Sequence, residues 1–291
     1  MGSGRRARPA TRSATAPSAP SSGVGSRQGW TGDRTLTKSF ISDWRGVAPL
    51  PESAFEEAIR AVGVDRYHDK HQFHKLLHSG ALNRDQVAAW ALNRYCYQEA
   101  VPRKDAAFMS RVHDRDLRRE WINRILDHDG QGDETGGIER WLVLTDALGF
   151  SREYVVSRAG ALPATKFAVE AYVHFVVEQP LVVAVASSLT ELFAPSIHRE
   201  RISGMLESYN FVNDHVMAYF KRRLSQAPRD SEFALSFVIK NALTREEQQA
   251  CINAVRFKCD VLWSQLDALH HAYVSPGLIP PGVWRPGDAN V

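Results

Sequence analysis

The chain has 291 residues, of which 44% are hydrophobic and 24% charged, the balance of an ordinary globular protein. Its longest apolar run, Leu181–Ala186, is far shorter than the roughly 20 residues that cross a bilayer, so we expect no membrane partner. Three cysteines without close spacing exclude a disulfide framework and a zinc site built from several thiolates. This cysteine usage fits a reducing compartment, and we expect a cytoplasmic protein.

The positive charge of the chain is concentrated at its N-terminus. The formal net charge is +3, yet five arginines and no acidic residue lie within residues 1–32, so the remainder has a net charge of −2. The basic pI therefore does not argue for nucleic-acid binding, and we expect no nucleic-acid partner. Residues 1–45 are rich in Ser, Ala, Pro and Arg, which predicts a disordered tail. An Arg- and Ser-rich organelle-targeting peptide is the alternative.

Helical periodicity dominates the sequence from Pro51 onward. Asn83 and Asp114 each precede a periodic segment and are residue types that favour helix N-caps. Thr244 and Glu247 have the spacing of a capping box at the start of the longest predicted helix. The sequence thus carries explicit helix start signals.

Glycine and proline divide the remaining segments. Gly130–Gly137 predicts a loop, and Gly149 has the position of a helix C-cap. Pro163 and Pro180 bound a long apolar segment. The valine-rich run at 181–189 could be a buried strand, but its helical surroundings and the lack of an alternating partner favour helix.

These patterns predict an all-α protein, a compact single-domain bundle of about seven helices. The predicted catalytic domain covers 46–276, and a Pro/Gly-rich C-terminal tail covers 277–291. A bundle of this size can hold a ligand pocket between its helices.

Four predicted helices each place an arginine beside a neutral polar partner near the apolar stripe. Residues three or four apart share a helix face. Several inward arginines would require neutralisation by anions, and arginine binds carboxylates bidentately, so we infer a pocket for a small polycarboxylate. Solvent-exposed salt bridges are the alternative. The pairs are Arg94 with Gln98, Arg124 with His128, His198 with Arg201, and Tyr219 with Arg223.

Two other features point to chemistry less directly. His71, His74 and His78 share one helical face, a spacing that can bind metal, but satisfied core histidines are the favoured interpretation. Cys96 lies between two tyrosines in a predicted helix and is interpreted as a buried, inert thiol. Nucleotide-binding and serine-hydrolase loop motifs do not occur in the sequence.

Six segments carry a resemblance to one known family. They extend from about Phe55 to Tyr273 and occur in the order that the family has. The chain resembles the pyrroloquinoline-quinone synthase (PqqC) family, and NR-x-x-YQ-x-x-x-PRKDAA and the stretch from HDG to GGIE are the most specific motifs. The segments are FHKLLHSGALNRDQVAAWALNRYCYQEAVPRKDAAF, REWINRILDHDGQGDETGGIERWLVL, KFAVEAYVHF, SSLTELFAPSIHRERI, YFKRRLSQAPRD and RFKCDVLWSQLDALHHAY.

The resemblance implies a haem-oxygenase/TenA-like helical bundle, usually a homodimer. It also implies the last step of pyrroloquinoline quinone (PQQ) biosynthesis, in which a bicyclic tricarboxylate precursor undergoes ring closure and eight-electron oxidation. Molecular oxygen would be the co-substrate, hydrogen peroxide would be released, and no metal or organic cofactor would be used. A paralogue acting on another small polycarboxylate, or a non-catalytic quinone-binding protein, is the alternative.

The motifs carry thirteen site residues over to this sequence. The catalytic set is His128, His198, Tyr219, Arg223 and Tyr172, with His128 as the general base. The substrate-binding set is Tyr67, His68, Arg94, Gln98, Lys104, Arg124, Arg201 and Lys258. No metal ligand is implied, because the comparable positions of the diiron relatives hold Gln98, Tyr219 and Arg223 here. The chain departs from the family pattern at Cys96, Lys166, Glu170, Leu181–Val183 and 231–233, where Phe233 replaces a histidine.

Overall fold

The computed structural model describes residues 1–2, 44 and 46–288. The predicted disordered tail therefore lies almost wholly outside the described residues. The compact unit discussed below begins at Trp44. It consists of helices and a single small hairpin within that part of the chain.

The described chain contains eleven α-helices, and seven of them have 15 residues or more, in keeping with the predicted bundle of about seven helices. Two 3-10 segments, His68–Lys70 and Ser187–Phe193, join longer elements. The α-helices are α1 (Glu52–Arg66), α2 (Gln72–His78), α3 (Arg84–Met109), α4 (Arg115–Asp129), α5 (Gly137–Ala147), α6 (Arg152–Ser157), α7 (Pro163–Glu178), α8 (Leu181–Ala186), α9 (Ala194–Ser208), α10 (Ala218–Asn241) and α11 (Arg245–Tyr273).

The predicted start signals cap the helices as expected. The Asn83 side chain accepts a hydrogen bond of 2.9 Å from the Gln86 backbone N–H, and the Gln86 side chain accepts one from the Asn83 backbone N–H. These two bonds form a capping box on α3. Thr244 and Glu247 form the same motif on α11. Each such cap contributes about 1 kcal/mol because it satisfies backbone donors that the helix leaves open.

The valine-rich run at 181–189 is helical, as the sequence analysis favours. It forms α8 and the start of the second 3-10 segment, and Val185 and Leu189 are completely buried. The wider segment Leu181–Ser208 is long and apolar enough to cross a membrane by length and composition, but more than half of its most apolar window is buried inside the protein. Its apolar side chains thus pack into the bundle as core.

The glycine-rich loop after α4 contains the hairpin. Strands β1 (Gly130–Gln131) and β2 (Glu134–Thr135) pair antiparallel. Gly136 allows a close approach, because a Cβ there would lie 2.3 Å from the His128 carbonyl oxygen. The hairpin thereby fixes the end of α4, which carries His128.

The segment after α11 folds back onto the bundle. Val283 and Trp284 are buried, and the Trp284 backbone N–H donates to the Gly160 carbonyl at 3.1 Å. The Tyr273 hydroxyl donates to the Trp284 carbonyl at 2.7 Å. The described part of the predicted C-terminal tail, 277–288, therefore adds two large side chains to the core.

Two large apolar clusters and one small one form the interior of the described chain. One large cluster centres on Trp90, Trp141 and Phe220, whose rings contact one another. The other large cluster includes Phe108 and Trp121 and the valine-rich run. Polar side chains of α3, α4, α9, α10 and α11 meet between the two large clusters, and this is where the cavity lies.

Candidate active site

A cavity opens between α3, α4, α9, α10, α11 and the two 3-10 segments. Eight of the thirteen predicted site residues line it, although they come from distant parts of the sequence. They are Tyr67, His68, Arg94, His128, His198, Arg201, Tyr219 and Arg223.

The other five predicted site residues lie buried behind the cavity wall. Gln98 accepts a hydrogen bond of 2.7 Å from the Tyr219 hydroxyl. Lys258 Nζ donates to the Tyr97 hydroxyl at 2.7 Å and lies 3.3 Å from the ring centroid of Tyr172. Lys104 and Arg124 contact buried carboxylates.

Burial settles one alternative left open by the sequence. Arg124, Arg201 and Arg223 retain only 5–7% of their accessible surface, and Arg94 is half-buried. The interpretation as solvent-exposed salt bridges is therefore wrong for these arginines. Their side chains point inward because each arginine lies on the apolar face of its helix, which packs against the core.

One side of the site, which we call the paired side, neutralises its cations with protein carboxylates. Glu191 accepts two hydrogen bonds from Arg124, at 2.6 and 3.0 Å, and lies 3.6 Å from Arg223. Burial opposes the charge of Glu191, but Arg124 and Arg223 outweigh it and hold its pKa at about 2. The paired side consists of Lys104, Arg124 and Arg223 with Asp105, Glu191 and Asp230.

Asp105 is the most deeply buried member of the paired side, with no accessible surface. It accepts from Lys104 Nζ at 2.5 Å and from the Trp121 indole N–H at 2.8 Å. Burial lowers the pKa of Lys104, and the neighbouring Asp105 opposes that shift. The ion pair thus offsets the free-energy cost of burying either charge alone in the core.

A second group of cations, which we call the unpaired side, consists of Arg94, Arg201 and Lys258. Within the described residues, none of the three forms an ion pair with a carboxylate. Burial together with the Arg94 charge lowers the pKa of Arg201 to about 10, and burial with the charges of Lys104 and Arg94 lowers that of Lys258 strongly. An anionic ligand would relieve this mutual repulsion.

His128 is held in one orientation by the backbone. Its Nδ1 lies 3.0 Å from the Arg124 carbonyl oxygen, which can only accept, so the proton is on Nδ1. Its Nε2 is consequently a free base. Burial and the nearby Arg223 lower the pKa of His128 to about 4, so the ring is neutral at pH 7.

Three more of the predicted catalytic residues line the same cavity, namely His198, Tyr219 and Arg223. His198 Nδ1 is buried without a hydrogen-bond partner, and burial and the charge of Arg201 keep the pKa of this ring far below its ordinary value. Carboxylates of the paired side raise the pKa of Arg223 against the effect of burial. The arrangement offers a fixed cation, a hydroxyl and a neutral imidazole to a developing anion.

Sequence reasoning did not single out Tyr97, Asp105, Glu191 and Asp230. Tyr97 lies three residues after Arg94, so helical spacing could have found it, and its ring centroid is 3.9 Å from the Arg94 guanidinium carbon. Glu191 is an acidic residue within an apolar segment, which is a signal in itself. Tyr97 and Glu191 line the cavity directly.

The histidines of α2 and the cysteines are buried. His71, the N-cap of α2, contacts Asp267 at 2.9 Å and accepts from the Phe73 backbone N–H. The rings of His74 and His78 are tilted against each other with centroids 4.0 Å apart. Cys96 is 2% exposed, and burial raises the pKa of its thiol to about 11, which fits an unreactive thiol.

The departures from the family pattern fall outside the candidate site. Cys96, Lys166 and Glu170 line a separate pocket with Arg158. Phe233 lies beside Asp230 behind the paired side, and Leu181–Val183 belong to α8. None of these residues lines the cavity between the two clusters.

Comparison with known proteins places these observations in a family. The model of the TENA/THI-4/PQQC family matches residues 56–268. The chain is 60% identical over 231 residues to the pyrroloquinoline-quinone synthase of Granulibacter bethesdensis, covering 79% of this chain and 91% of that protein. It is 55% identical over 242 residues to the bifunctional coenzyme PQQ synthesis protein C/D of Methylorubrum extorquens, covering 83% of this chain and 65% of that protein.

A solved structure supports the fold. A Shewanella denitrificans domain with a heme oxygenase-like fold superimposes with a TM-score of 0.61 at 13% identity, covering 80% of this chain and 96% of that domain. The predicted all-α, haem-oxygenase/TenA-like fold and the family resemblance are thus confirmed. With a family match over most of its length and relatives at about 60% identity, the chain belongs to the TENA/THI-4/PQQC family.

Proposed function

We propose that this protein is a pyrroloquinoline-quinone synthase that catalyses the final step of PQQ biosynthesis. The observation that carries the proposal is the unpaired side, where Arg94 and Arg201 line the cavity and Lys258 lies behind its wall. Within the described residues, none of these three cations forms an ion pair with a protein carboxylate. The bicyclic precursor and the quinone each carry three carboxylates, which three basic groups would neutralise. The 60% identity to proteins named pyrroloquinoline-quinone synthase supports the same function.

The proposed reaction is ring closure followed by eight-electron oxidation with O₂ as the acceptor. Each H₂O₂ formed takes two electrons and two protons from the substrate. The deprotonated substrate is an electron-rich, quinol-like anion that reduces oxygen itself, so the proposal includes no resident metal or organic cofactor. The protein would remove protons, stabilise anions and exclude competing solvent.

We assign the removal of a substrate proton to His128. Its Nε2 faces the cavity as a free base because the Arg124 carbonyl fixes the proton on Nδ1. A pKa of about 4 keeps the ring unprotonated and ready to accept a proton at neutral pH. His128→Asn should lower turnover by about 10²–10⁴-fold while leaving product binding within a few-fold. Full turnover in that variant would refute the assignment.

We assign the reactions of O₂ and its reduced forms to the part of the site that contains His198, Tyr219 and Arg223. Tyr219 is oriented by its hydrogen bond to Gln98, and Arg223 by Glu191 and Asp230. These three side chains would stabilise a reduced-oxygen anion and relay protons to peroxide. Tyr172 packs beside Lys104 and Lys258, where it would shape the wall behind the reacting ring.

Substrate carboxylates would contact the unpaired side, and Tyr67 and His68 would complete the cavity wall. Lys104 and Arg124 lie behind this wall and contact protein carboxylates, so they would support the site indirectly by holding Asp105 and Glu191 in place. A homodimer in the cytoplasm, without nucleic acid or membrane partners, belongs to the same proposal.

The proposal is tested by mixing metal-depleted protein with the bicyclic precursor in air-saturated buffer. We expect O₂ uptake, H₂O₂ release and the absorbance of the quinone. Arg201→Gln should weaken PQQ binding by about 30-fold. Arg222→Gln removes an exposed arginine that is paired with Glu134 and serves as the matched control. Binding of quinone without O₂ uptake would indicate a carrier, and neither binding nor turnover would indicate a different polycarboxylate.

A further inference from the structure

Arg201 faces the cavity without an ion-pair partner, yet it is held firmly from behind. Its Nε donates to Nε2 of His78 at 3.2 Å. Its guanidinium carbon lies 5.4 Å from the Trp90 ring centroid and 5.2 Å from that of Phe220. One polar contact and two aromatic faces therefore determine where the terminal N–H groups of Arg201 point.

His78 connects Arg201 to the protein surface. Because the Arg201 Nε always carries a proton, Nε2 of His78 must accept, and the single proton of the neutral ring is on Nδ1. Nδ1 lies 3.5 Å from a carboxylate oxygen of Glu200, whose side chain is 62% exposed. Apart from this contact, His78 Nδ1 is buried without a partner. Glu200 therefore favours the tautomer that Arg201 requires.

The backbone fixes His78 relative to α9, the helix that carries both Glu200 and Arg201. Gly204 lets the two helices approach closely, since a Cβ there would lie 2.4 Å from the His78 carbonyl oxygen. The Tyr209 hydroxyl donates to the Leu77 carbonyl at 3.1 Å. The end of α2 is thus held against the C-terminal part of α9 and the residue that follows it.

A metal site is the competing interpretation of the same side chains. Ligand atoms of His74, His78 and Glu200 lie within 4.8 Å of one another, a spacing that a divalent cation could use. The Arg201 guanidinium, however, occupies the Nε2 lone pair of His78 and places a fixed positive charge beside the cluster. A ligating Nδ1 would need to lose the proton that this contact places there.

We propose that His78, braced by Glu200, is a positioning residue that holds Arg201 in the orientation needed to bind one carboxylate of the substrate. The assignment of the ligand rests on the proposed function, whereas the Glu200–His78–Arg201 chain rests on geometry alone. Neither His78 nor Glu200 lines the cavity, so both would act through Arg201.

The first test compares two substitutions at His78. His78→Leu removes the acceptor, and we expect about a tenfold weaker apparent affinity for the precursor and for PQQ, with a smaller change in kcat. His78→Gln retains an acceptor and should stay within about threefold of the native protein. His71→Asn is the matched control, since His71 is also a buried histidine with a carboxylate partner, and Asn keeps the acceptor that caps α2.

Coupling to Arg201 separates positioning from a general structural role. In an Arg201→Gln background, His78→Leu should cause no further loss of affinity, because the residue through which it acts is already absent. An equal loss in both backgrounds would overturn the proposal. Glu200→Gln should weaken binding by about twofold to threefold, as its contact is long and partly exposed.

A second test does not depend on the substrate. ¹⁵N NMR of histidine-labelled protein, with the His78 signal assigned from His78→Gln, should show a neutral ring protonated on Nδ1. The Nε2-protonated tautomer, or stoichiometric Zn²⁺ binding that shifts the signals of both His74 and His78, would overturn the proposal. If the native protein neither binds nor oxidises the precursor, the proposed function fails, while this spectrum still decides the role of His78.

Discussion

The paired and unpaired sides of the site both contain lysine and arginine, but they differ in whether the protein neutralises these cations. On the paired side, Asp105, Glu191 and Asp230 neutralise Lys104, Arg124 and Arg223 within hydrogen-bond or ion-pair distance. On the unpaired side, buried cations face one another without carboxylates. The paired side is complete in the free protein, whereas the unpaired side is complete only with an anion bound.

This difference separates two roles that the sequence presents as one set of basic residues. Removing a carboxylate from the paired side should strand a buried cation and destabilise the fold. Removing a cation from the unpaired side should relieve repulsion and weaken ligand binding instead. Stability and affinity measured on matched variants therefore distinguish the two sides.

The largest effect is expected for Asp105→Ala. The substitution leaves Lys104 and the Trp121 indole N–H without their partner in a fully buried site, which costs about 3–5 kcal/mol of unfolding free energy. Urea denaturation measures it. Asp116→Ala removes a carboxylate from an exposed pair with Arg119 and should change stability by less than about 0.5 kcal/mol. Similar losses in both variants would contradict the distinction between buried and exposed pairs.

The pH dependence of stability comes next. The folded-state pKa of His128 is about 4, below the ordinary value of 6.5, so between these values the unfolded state binds the extra proton. The free energy of unfolding should therefore fall as pH drops from about 6.5 to about 4, with His128 contributing about 3 kcal/mol, and this contribution should not decrease further below that range. His128→Asn should flatten the profile, whereas substitution of the exposed His113 should not. An unchanged slope in His128→Asn would show that other groups dominate.

Arg201→Gln is expected to act mainly on binding. Loss of one charged hydrogen-bonding partner should weaken PQQ binding by about 30-fold, or roughly 2 kcal/mol, measured by equilibrium dialysis. The Tm of this variant should stay close to that of the native protein, because the substitution removes a buried charge that no carboxylate among the described residues neutralises. Arg124→Gln should give the reverse order of effects, and a binding-only defect there would place Arg124 on the unpaired side.

The smallest effect is expected outside the cavity. Arg103 and Glu170 form two hydrogen bonds of 3.1 Å, but both side chains are more than 40% exposed. Glu170→Gln should therefore change unfolding free energy by at most about 1 kcal/mol and leave PQQ binding unchanged. A loss comparable to that of Asp105→Ala would mean that geometry, and not burial, decides the value of these pairs.

Much of the local structure could be predicted because its causes are local. Asn83, Thr244 and the glycines around α5 specify helix ends through contacts within a few residues. Helical spacing likewise placed Arg94 with Gln98 and Arg124 with His128 on shared faces. Long, specific motifs predicted the thirteen site residues, and eight of them line one cavity.

The partners of the cations could not be predicted in the same way. Glu191 reaches Arg124 across 67 residues, and His78 reaches Arg201 across 123. Such pairs depend on how α2, α4, α9 and α10 pack, which no short window of sequence encodes. The sequence does not distinguish the arginines that pair with protein carboxylates from those that are available to bind a ligand.

The sequence by itself determined an all-α bundle, several of its helix ends and its family, because hydrophobic periodicity, capping and motif spacing are properties of the chain. Only the tertiary structure decided which buried cations have carboxylate partners, which histidine nitrogen is free and which arginine is held by His78. These are properties of distance and burial, and electrostatic energies in a protein interior depend on both.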